Sequence, residues 1–115
     1  MLLICKDEEV WGRMSLAEQQ QIYWDIVTLQ NEIEAKGQHV SSSPLYPAST
    51  ATSVRVRDGK RLVTDGPFAE TREQLSGYMV IDVKNLDEAI TIAGRIPLAR
   101  TSTVEVLPIR EGEPK

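Results

Sequence analysis

The pattern of apolar and polar residues predicts an alternation of strands and helices. Residues 1–6 are apolar at successive positions up to Cys5, which predicts a strand with both faces buried. Residues 52–57 alternate apolar with polar side chains, and Asp58-Gly59 supplies two residues suited to the positive φ angles of a type I′ turn. With residues 60–64 as the return strand, this segment predicts a β-hairpin.

The first long helix is predicted by its N-terminal cap and by one apolar stripe. Ser15 precedes Glu18 by three residues, so each side chain can bond the other's free backbone N–H. Gly37 ends the helix, because glycine adopts the left-handed conformation without steric cost. The expected buried stripe consists of Leu16, Ile22, Ile26, Leu29 and Ile33.

A second helix is predicted after Asn85, which caps it, and Pro97 stops it. Thr71 to Gln74 has the spacing that caps one short helical turn, which Gly77 would end. The expected buried stripe of the second helix consists of Leu86, Ala89, Ile90 and Ala93.

Three further strands complete the pattern. Residues 78–83 are mostly apolar, and residues 103–109 form the last predicted strand. Residues 39–45 are a weaker strand candidate, because three serines and Pro44 interrupt them. The order β-α-β, hairpin, β-α-β predicts an α+β fold, the ferredoxin-like βαββαβ plan with an extra β-hairpin.

Two helices can cover only one face of such a sheet, yet residues 2–5 and 78–83 present apolar side chains to both faces. A second copy of the chain is the simplest cover for the other face, because a symmetric contact between sheets is self-complementary. The sequence therefore predicts a homodimer through the sheet faces. The alternative is a monomer in which residues 41–50 and the hairpin fold across that face.

Composition narrows the class of protein. The chain has 115 residues, enough for a single domain over residues 1–115 with a polar tail at about 111–115. A formal charge of −4 disfavours nucleic acid as a partner. Cys5 is the only cysteine, and the apolar start is too short for a signal peptide or membrane span, so we expect a cytoplasmic location without a membrane partner.

Residues 54–60 and 63–75 carry a family resemblance, since they read VRVRDGK and VTDGPFAETREQL. Both closely resemble the DGPF group of the YciI-related family, and the likeness extends over nearly the whole chain. The resemblance implies a dimeric α/β-barrel of ferredoxin-like subunits. It implies less about activity: most members have no established reaction, some are fused to or encoded beside extracytoplasmic-function sigma factors, and related members include a dehydrochlorinase of chlorinated aromatics.

The chain departs from the family pattern at two places. The wider family has a proposed His-Asp catalytic pair with the histidine on the first helix, but residues 15–36 contain no histidine. The DGPF group usually ends in Glu-Val-Arg-Pro, whereas this chain has Leu107 between Val106 and Pro108. The anion contact that such an arginine could make is therefore missing.

Asp65 is the first candidate for a catalytic residue, because Gly66 and Pro67 fix a tight turn directly after it, and a general base must be held in place. The alternative is an Asx-type cap in which Asp65 accepts N–H groups of its own turn. His39, the only imidazole, could exchange a proton with a substrate if the fold brings it beside Asp65. Otherwise His39 is a surface residue.

Other side chains are candidates for a pocket around this turn. Arg72 could bind a carboxylate or phosphate, although Arg72 and Glu73 also suit a solvated face. Trp11, in a predicted loop, could act as a lid or as a structural staple. No metal-binding spacing, phosphate loop or dinucleotide fingerprint occurs, so no metal or cofactor is expected. The expected pocket residues are Gly66, Pro67, Phe68, Arg72, Tyr78 and Trp24, with Tyr23 a further aromatic candidate.

Two functions follow from these observations. The first is a small-molecule enzyme or binding protein that uses Asp65 for proton transfer or elimination, which predicts a cavity with Asp65 pointing inward. The second is a non-catalytic accessory or interaction domain linked to a sigma-factor pathway, with residues 53–75 as its contact surface. It predicts that local backbone bonds occupy Asp65 and that no sizeable pocket exists.

Overall fold

The computed structural model describes residues 1–111, which form three α-helices, six β-strands and two 3-10 turns. The strands are β1 (Leu2–Asp7), β2 (His39–Pro44), β3 (Thr52–Arg57), β4 (Lys60–Asp65), β5 (Glu73–Ile81) and β6 (Val104–Val106). The helices are α1 (Glu8–Arg13), α2 (Leu16–Ala35) and α3 (Leu86–Arg95), and the 3-10 turns span Ala48–Thr50 and Pro97–Arg100.

The main sheet has the strand order β2-β5-β1-β6, and every neighbouring pair is antiparallel. This is the order of a ferredoxin-like sheet, so the predicted α+β fold is confirmed. Strands β3 and β4 form a separate two-stranded sheet, which is the predicted extra hairpin. No helix within residues 1–111 is long and apolar enough to cross a membrane.

The core lies between one face of the main sheet and helices α2 and α3. Leu2, Ile4 and Met79 project from the sheet into this layer, because alternate residues of a strand share a face. Helix α2 contributes Leu29 and Ile33. The remaining buried members of the cluster are Ile92, Ala93, Ile96 and Leu98.

The opposite face of the sheet, here called the open face, is covered by no helix. Leu3, Cys5, Tyr78 and Val80 on this face are only partly buried. The hairpin does not lie across it, since every residue of β3 and β4 except Ser53 is exposed. The acidic residues of this face include Glu73, which pairs with Asp7, and Glu105, which pairs with Leu3.

Local sequence signals correctly place both ends of α2 and the hairpin turn. The Ser15 hydroxyl accepts from the Glu18 N–H at 3.1 Å, and the Glu18 carboxylate accepts from the Ser15 N–H at 3.0 Å. Gly37 has φ +71°, as a helix-ending glycine requires. Asp58 and Gly59 have φ values of 52° and 74°, the positive values that a type I′ turn needs.

The prediction that Trp11 lies in a loop is wrong, because Trp11 belongs to helix α1. The Asp7 carboxylate accepts from the N–H groups of Glu9 and Val10 and so starts a helix directly after β1. Trp11 packs against the core, and the ammonium of Lys6 lies 4.7 Å from the centre of its ring. Its position corresponds to the structural staple.

The predicted helical turn at Thr71 to Gln74 is also wrong. Strand β5 begins at Glu73 and runs through Gly77 to Ile81, so Gly77 lies inside the strand. A Cβ at this position would be 3.1 Å from the main-chain oxygen of Ser43. Gly77 therefore lies where β2 approaches β5 closely, and it does not end a helix.

Strand β5 also contains a β-bulge. Ile4 pairs with Gly77, but Cys5 pairs with Leu75, so Ser76 is one extra residue on the β5 side. The Ser76 hydroxyl donates to the main-chain oxygen of Ile4 at 3.1 Å. This bond holds the extra residue against β1.

Three residues predicted to be buried in the helices are exposed, and the last strand is shorter than predicted. Leu16 is 69% exposed, and Leu86 and Ile90 are 60% and 52% exposed, so none of the three belongs to a buried stripe. The last strand is only Val104–Val106, shorter than the predicted 103–109. Most of the predicted polar tail lies outside the described residues.

Candidate functional site

The segment that follows the hairpin is tied back to the start of β3. The N–H of Gly66 donates to the oxygen of Ala51 at 2.6 Å, and the Ser53 hydroxyl donates to the oxygen of Gly66 at 2.8 Å. Gly66 has φ +95°, a conformation that L side chains rarely adopt. The turn after Asp65 is therefore held in place by hydrogen bonds from the N–H and to the carbonyl oxygen of Gly66.

Residues 71–74 form a turn whose side chains hydrogen-bond within the same segment. The amide of Gln74 donates to the main-chain oxygen of Thr71 at 2.9 Å and to its hydroxyl at 3.0 Å. The Thr71 hydroxyl in turn donates to the main-chain oxygen of Glu73 at 2.6 Å. The residues predicted to cap a helix thus exchange hydrogen bonds within a turn instead.

A cleft of about 450 Å³, here called the turn cleft, lies beside this segment. Its lining comes from the segment after the hairpin, from Pro47 with the 3-10 turn Ala48–Thr50, and from Glu8, the first residue of α1. The lining residues are Glu8, Pro47, Ala48, Ser49, Pro67, Glu70, Thr71 and Gln74. Of the six residues predicted to form a pocket, only Pro67 lines this cleft.

Asp65 is exposed at the end of β4 and does not line the turn cleft. Its carboxylate accepts no hydrogen bond from its own turn and forms no ion pair within residues 1–111. The Asx-type cap is therefore not formed, and the side chain does not point into the cleft. Both oxygens of the carboxylate are therefore available to accept hydrogen bonds from another molecule.

His39 lies at the start of β2, beneath helix α2, and contacts side chains other than Asp65. Its Nε2 is 2.9 Å from the Ser42 hydroxyl, and its Nδ1 is 3.6 Å from the Glu34 carboxylate. Because the Ser42 hydroxyl donates to the Gln30 side chain at 3.1 Å, it accepts from His39, which favours the tautomer with hydrogen on Nε2. The structure does not bring His39 and Asp65 together.

Arg72 is engaged with a buried carboxylate that the sequence analysis did not single out. Asp7 is only 6% exposed; one of its oxygens caps α1 and the other lies 3.2 Å from Nε of Arg72. The side chain of Arg72 is itself 83% exposed. A sequence signal for Asp7 does exist: it is an acidic residue at a strand end, and two more acidic residues follow it. Acidic residues are favoured at the start of a helix, so this pattern indicates a helix start rather than a polar loop.

The aromatic candidates do not gather around one cavity. Trp24 is exposed on α2 and meets Tyr23 edge to face with ring centres 5.4 Å apart. Phe68 is 79% exposed beside the turn, and Tyr78 lies on the open face. Within residues 1–111, none of these aromatic side chains lines the turn cleft.

Cys5 lies on the open face with two acidic neighbours. Burial raises the pKa of its thiol, and the negative charges of Glu73 and Glu105 raise it further. A raised pKa keeps the thiol protonated near neutral pH, so Cys5 is not an activated nucleophile. No group of three or more His, Cys, Asp or Glu side chains in the described part of the chain is arranged to hold a metal ion.

Comparison with known proteins gives a family and no activity. The family model described as YCII-related domain matches residues 1–113. An uncharacterized protein of Rhizobium meliloti (strain 1021) is 36% identical over 110 residues, which cover 94% of this chain and 89% of the relative. The match thus runs along almost the whole length of both proteins.

Proposed function

The chain belongs to the YCII-related family, and from that premise we propose that it binds a small molecule in the turn cleft. The observation that carries the proposal is the cleft itself. Its volume of about 450 Å³ lies within the range of about 300–1,000 Å³ typical of ligand sites. The fixed Gly66 turn keeps one wall in position before a ligand arrives, which reduces the ordering cost of binding.

The lining favours a ligand that donates hydrogen bonds. The Gln74 amide and the Thr71 hydroxyl already donate to the main chain, so the atoms they leave for a ligand are acceptors. Glu8 and Glu70 add carboxylates, while prolines supply apolar wall. A small amine with an apolar body matches this combination better than a carboxylate does.

Proton transfer by Asp65 is the catalytic part of this proposal. Support comes from its unoccupied carboxylate and from the Gly66-Pro67 turn that follows it. An exposed carboxylate on a fixed strand end can accept a proton from a substrate that reaches beyond the cleft. His39 remains a candidate only for a role apart from Asp65, because its ring nitrogens face Ser42 and Glu34.

Benzylamine and benzoate form a matched probe pair for the cleft, since they share the aromatic body and differ in charge. We expect benzylamine to shift the NMR signals of the main chain around Thr71 and Gln74, and benzoate to leave them unchanged. Glu70→Gln should weaken this response, whereas Glu9→Gln, which changes an exposed acid of α1 outside the lining, should not. Equal shifts with both probes, or no shift at the cleft, would refute the proposal.

We also propose that the protein is a homodimer in which each copy covers the open face of the other. Support comes from the partly buried apolar residues Leu3, Tyr78 and Val80, which lie on the face that no helix within residues 1–111 covers. The molecule measures 49 × 45 × 18 Å with a radius of gyration of 16.3 Å. A compact chain of this length would have about 13 Å, so the protomer is unusually flat.

The accessory-domain hypothesis is less well supported. It predicts that local backbone bonds occupy Asp65 and that no sizeable pocket exists, whereas within residues 1–111 Asp65 accepts no such bond and the turn cleft is present. The enzyme hypothesis predicts a cavity with Asp65 pointing inward, and that feature is not met either, because Asp65 does not line the turn cleft. A sigma-factor partner and a cytoplasmic location stay predictions from the sequence. Binding of a small molecule is therefore the function to test first.

A further inference from the structure

The β3–β4 hairpin lacks packing within its own protomer. Apart from Ser53, every residue of both strands is exposed. An isolated two-stranded hairpin is marginally stable in water and normally requires another element to cover one face. No element within residues 1–111 supplies such a cover for this hairpin.

One face of the hairpin is suited to such packing. Residues directly opposite each other in the two strands share a face, so Val54 and Val63 lie together, with Val56 opposite Arg61 on the same side. Val54 is 59% exposed, Val63 is 58% exposed and Val56 is 62% exposed. This side, here called the valine face, also carries Asp65 opposite Thr52.

The open face offers a matching surface. Its apolar centre contains Leu3, Tyr78 and Val80. Glu73 and Glu105 lie on the same face, and neither forms an ion pair within residues 1–111. One oxygen of Glu73 is buried there without any hydrogen-bond donor, a situation that native structures usually resolve with a partner.

Charge on the hairpin complements these acids. Arg55, Arg57, Lys60 and Arg61 have no carboxylate partner in the described part of the chain. With Asp58 and Asp65 the hairpin carries a formal charge of +2 within a chain of −4, so the rest of the chain carries −6. The two complementary surfaces do not meet within one protomer.

We propose that the hairpin is an arm that packs its valine face on the open face of a second copy of this chain, with Arg61 beside the unpaired carboxylates of Glu73 and Glu105. This inference rests on the homodimer proposed above and specifies the element that forms it. A hydrophobic patch with a charge of the opposite sign at its edge gives both affinity and register.

The arm also assigns a place to Asp65. Asp65 lies on the valine face, four residues along the strand from Arg61, which is about 13 Å at strand spacing. The arm therefore carries Asp65 of one copy to the rim of the other copy's sheet. A site that uses Asp65 is then formed between two copies, which fits the position of Asp65 outside the lining of the turn cleft.

Charge reversal tests the arm by sedimentation velocity of the full chain over a wide concentration range. We expect Arg61→Glu to raise the dimer dissociation constant about tenfold or more, because it places like charges together in the interface. Lys60→Glu makes the same change in net charge on the other face of the hairpin and should have a much smaller effect. Pairing Arg61→Glu with Glu73→Lys or Glu105→Lys should restore the dimer.

The outcomes separate the arm from the dimer itself. A wild-type chain that stays monomeric throughout would overturn both. A wild-type dimer that Arg61→Glu and Lys60→Glu weaken equally, or that neither lysine variant restores, would overturn the arm and leave the dimer standing.

Thiol cross-linking supplies a second readout, since Cys5 on the open face is the only cysteine. With an added thiol oxidant, Val54→Cys should form a disulfide-linked dimer through Cys5 of the other copy, and the same variant in a Cys5→Ser background should lose that link to Cys5. Arg55→Cys, on the opposite face of the same strand, is the matched control. Cross-linking at equal rates from both positions would contradict the proposed orientation of the arm.

Discussion

Ser15 and Glu18 exchange two hydrogen bonds at the start of α2, and the bonds from Ser15 lower the pKa of the Glu18 carboxyl. A carboxyl whose pKa is lowered by folding stabilises the protein above its unfolded pKa, here about 4.5. This contribution is lost as the pH falls through the lower, folded value. The capping box therefore acts at neutral pH and weakens in acid.

Ser15→Ala removes one of the two bonds and should lower the free energy of unfolding by about 1 kcal/mol at neutral pH. Urea unfolding followed by circular dichroism measures the change. At a pH well below 4.5 the loss should become smaller, because Glu18 is then protonated in both variants. A loss that stays constant across this range would contradict the coupling of Ser15 and Glu18.

Cys5 gives a second prediction for a single side chain. Because burial and two acids raise the pKa of its thiol, Cys5 should react with iodoacetamide more slowly than an unstructured peptide thiol at pH 8. Glu105→Gln removes one negative charge and should lower the pKa of Cys5 and so raise the rate at fixed pH. An unchanged pH profile of alkylation would show that Glu105 does not act on the thiol.

At the scale of elements, the approach of β2 to β5 depends on Gly77. A Cβ there would lie 3.1 Å from the main-chain oxygen of Ser43, so the backbone of β2 would have to shift by a few tenths of an ångström. Gly77→Ala should therefore destabilise the fold by about 1–3 kcal/mol. Gly94→Ala is the matched control in α3: its Cβ would meet nothing within 4 Å, so it should stabilise the helix by about 0.5–1 kcal/mol. Thermal unfolding of both variants tests the contrast, and loss of stability in both would contradict it.

Elements whose partners are close in sequence could be predicted from the sequence. The Ser15 box and the Asp58-Gly59 turn are satisfied within a few residues, so their local signals decide the structure. Thr71 and Gln74 carry a similar spacing, but their side chains bond each other within a turn while Glu73 enters the sheet opposite Asp7. Pairing with β1 outweighs the local helix signal there, and that pairing partner is distant in sequence.

The candidate site was less predictable for the same reason. Pro67 lies in the right segment, but the other walls of the turn cleft come from Glu8 and from residues 47–49, which no local pattern connects to it. His39 is next to Ser42 and Glu34 because β2 lies beneath α2, a contact that depends on the packed fold. The turn after Asp65 could be predicted from Gly66 and Pro67, but the bonds to Ala51 and Ser53 that hold it come from residues distant in sequence.

At the scale of the whole molecule, no helix within residues 1–111 covers the open face of the thin protomer's sheet. Val80 lies on that side of the inner strand β5, so Val80→Asp should place a charge in the proposed interface and shift the protein to a monomer. Sedimentation equilibrium measures the shift. Ile90→Asp, at an exposed position on α3, is the control and should leave the assembly unchanged. A dimer that tolerates Val80→Asp as well as Ile90→Asp would argue for an interface elsewhere.

The extra residue at Ser76 has a consequence for how this architecture can vary. Since Gly77 faces Ile4 and Leu75 faces Cys5, removal of Ser76 would join two correctly paired halves without reversing any side chain. What would change is the coiling of the strand, because a bulge adds local twist. Ser76 thus affects the curvature of the sheet without changing which residues of β1 and β5 face each other. Its deletion would alter the shape of the sheet surface that another molecule contacts, while the core of the protomer would be kept.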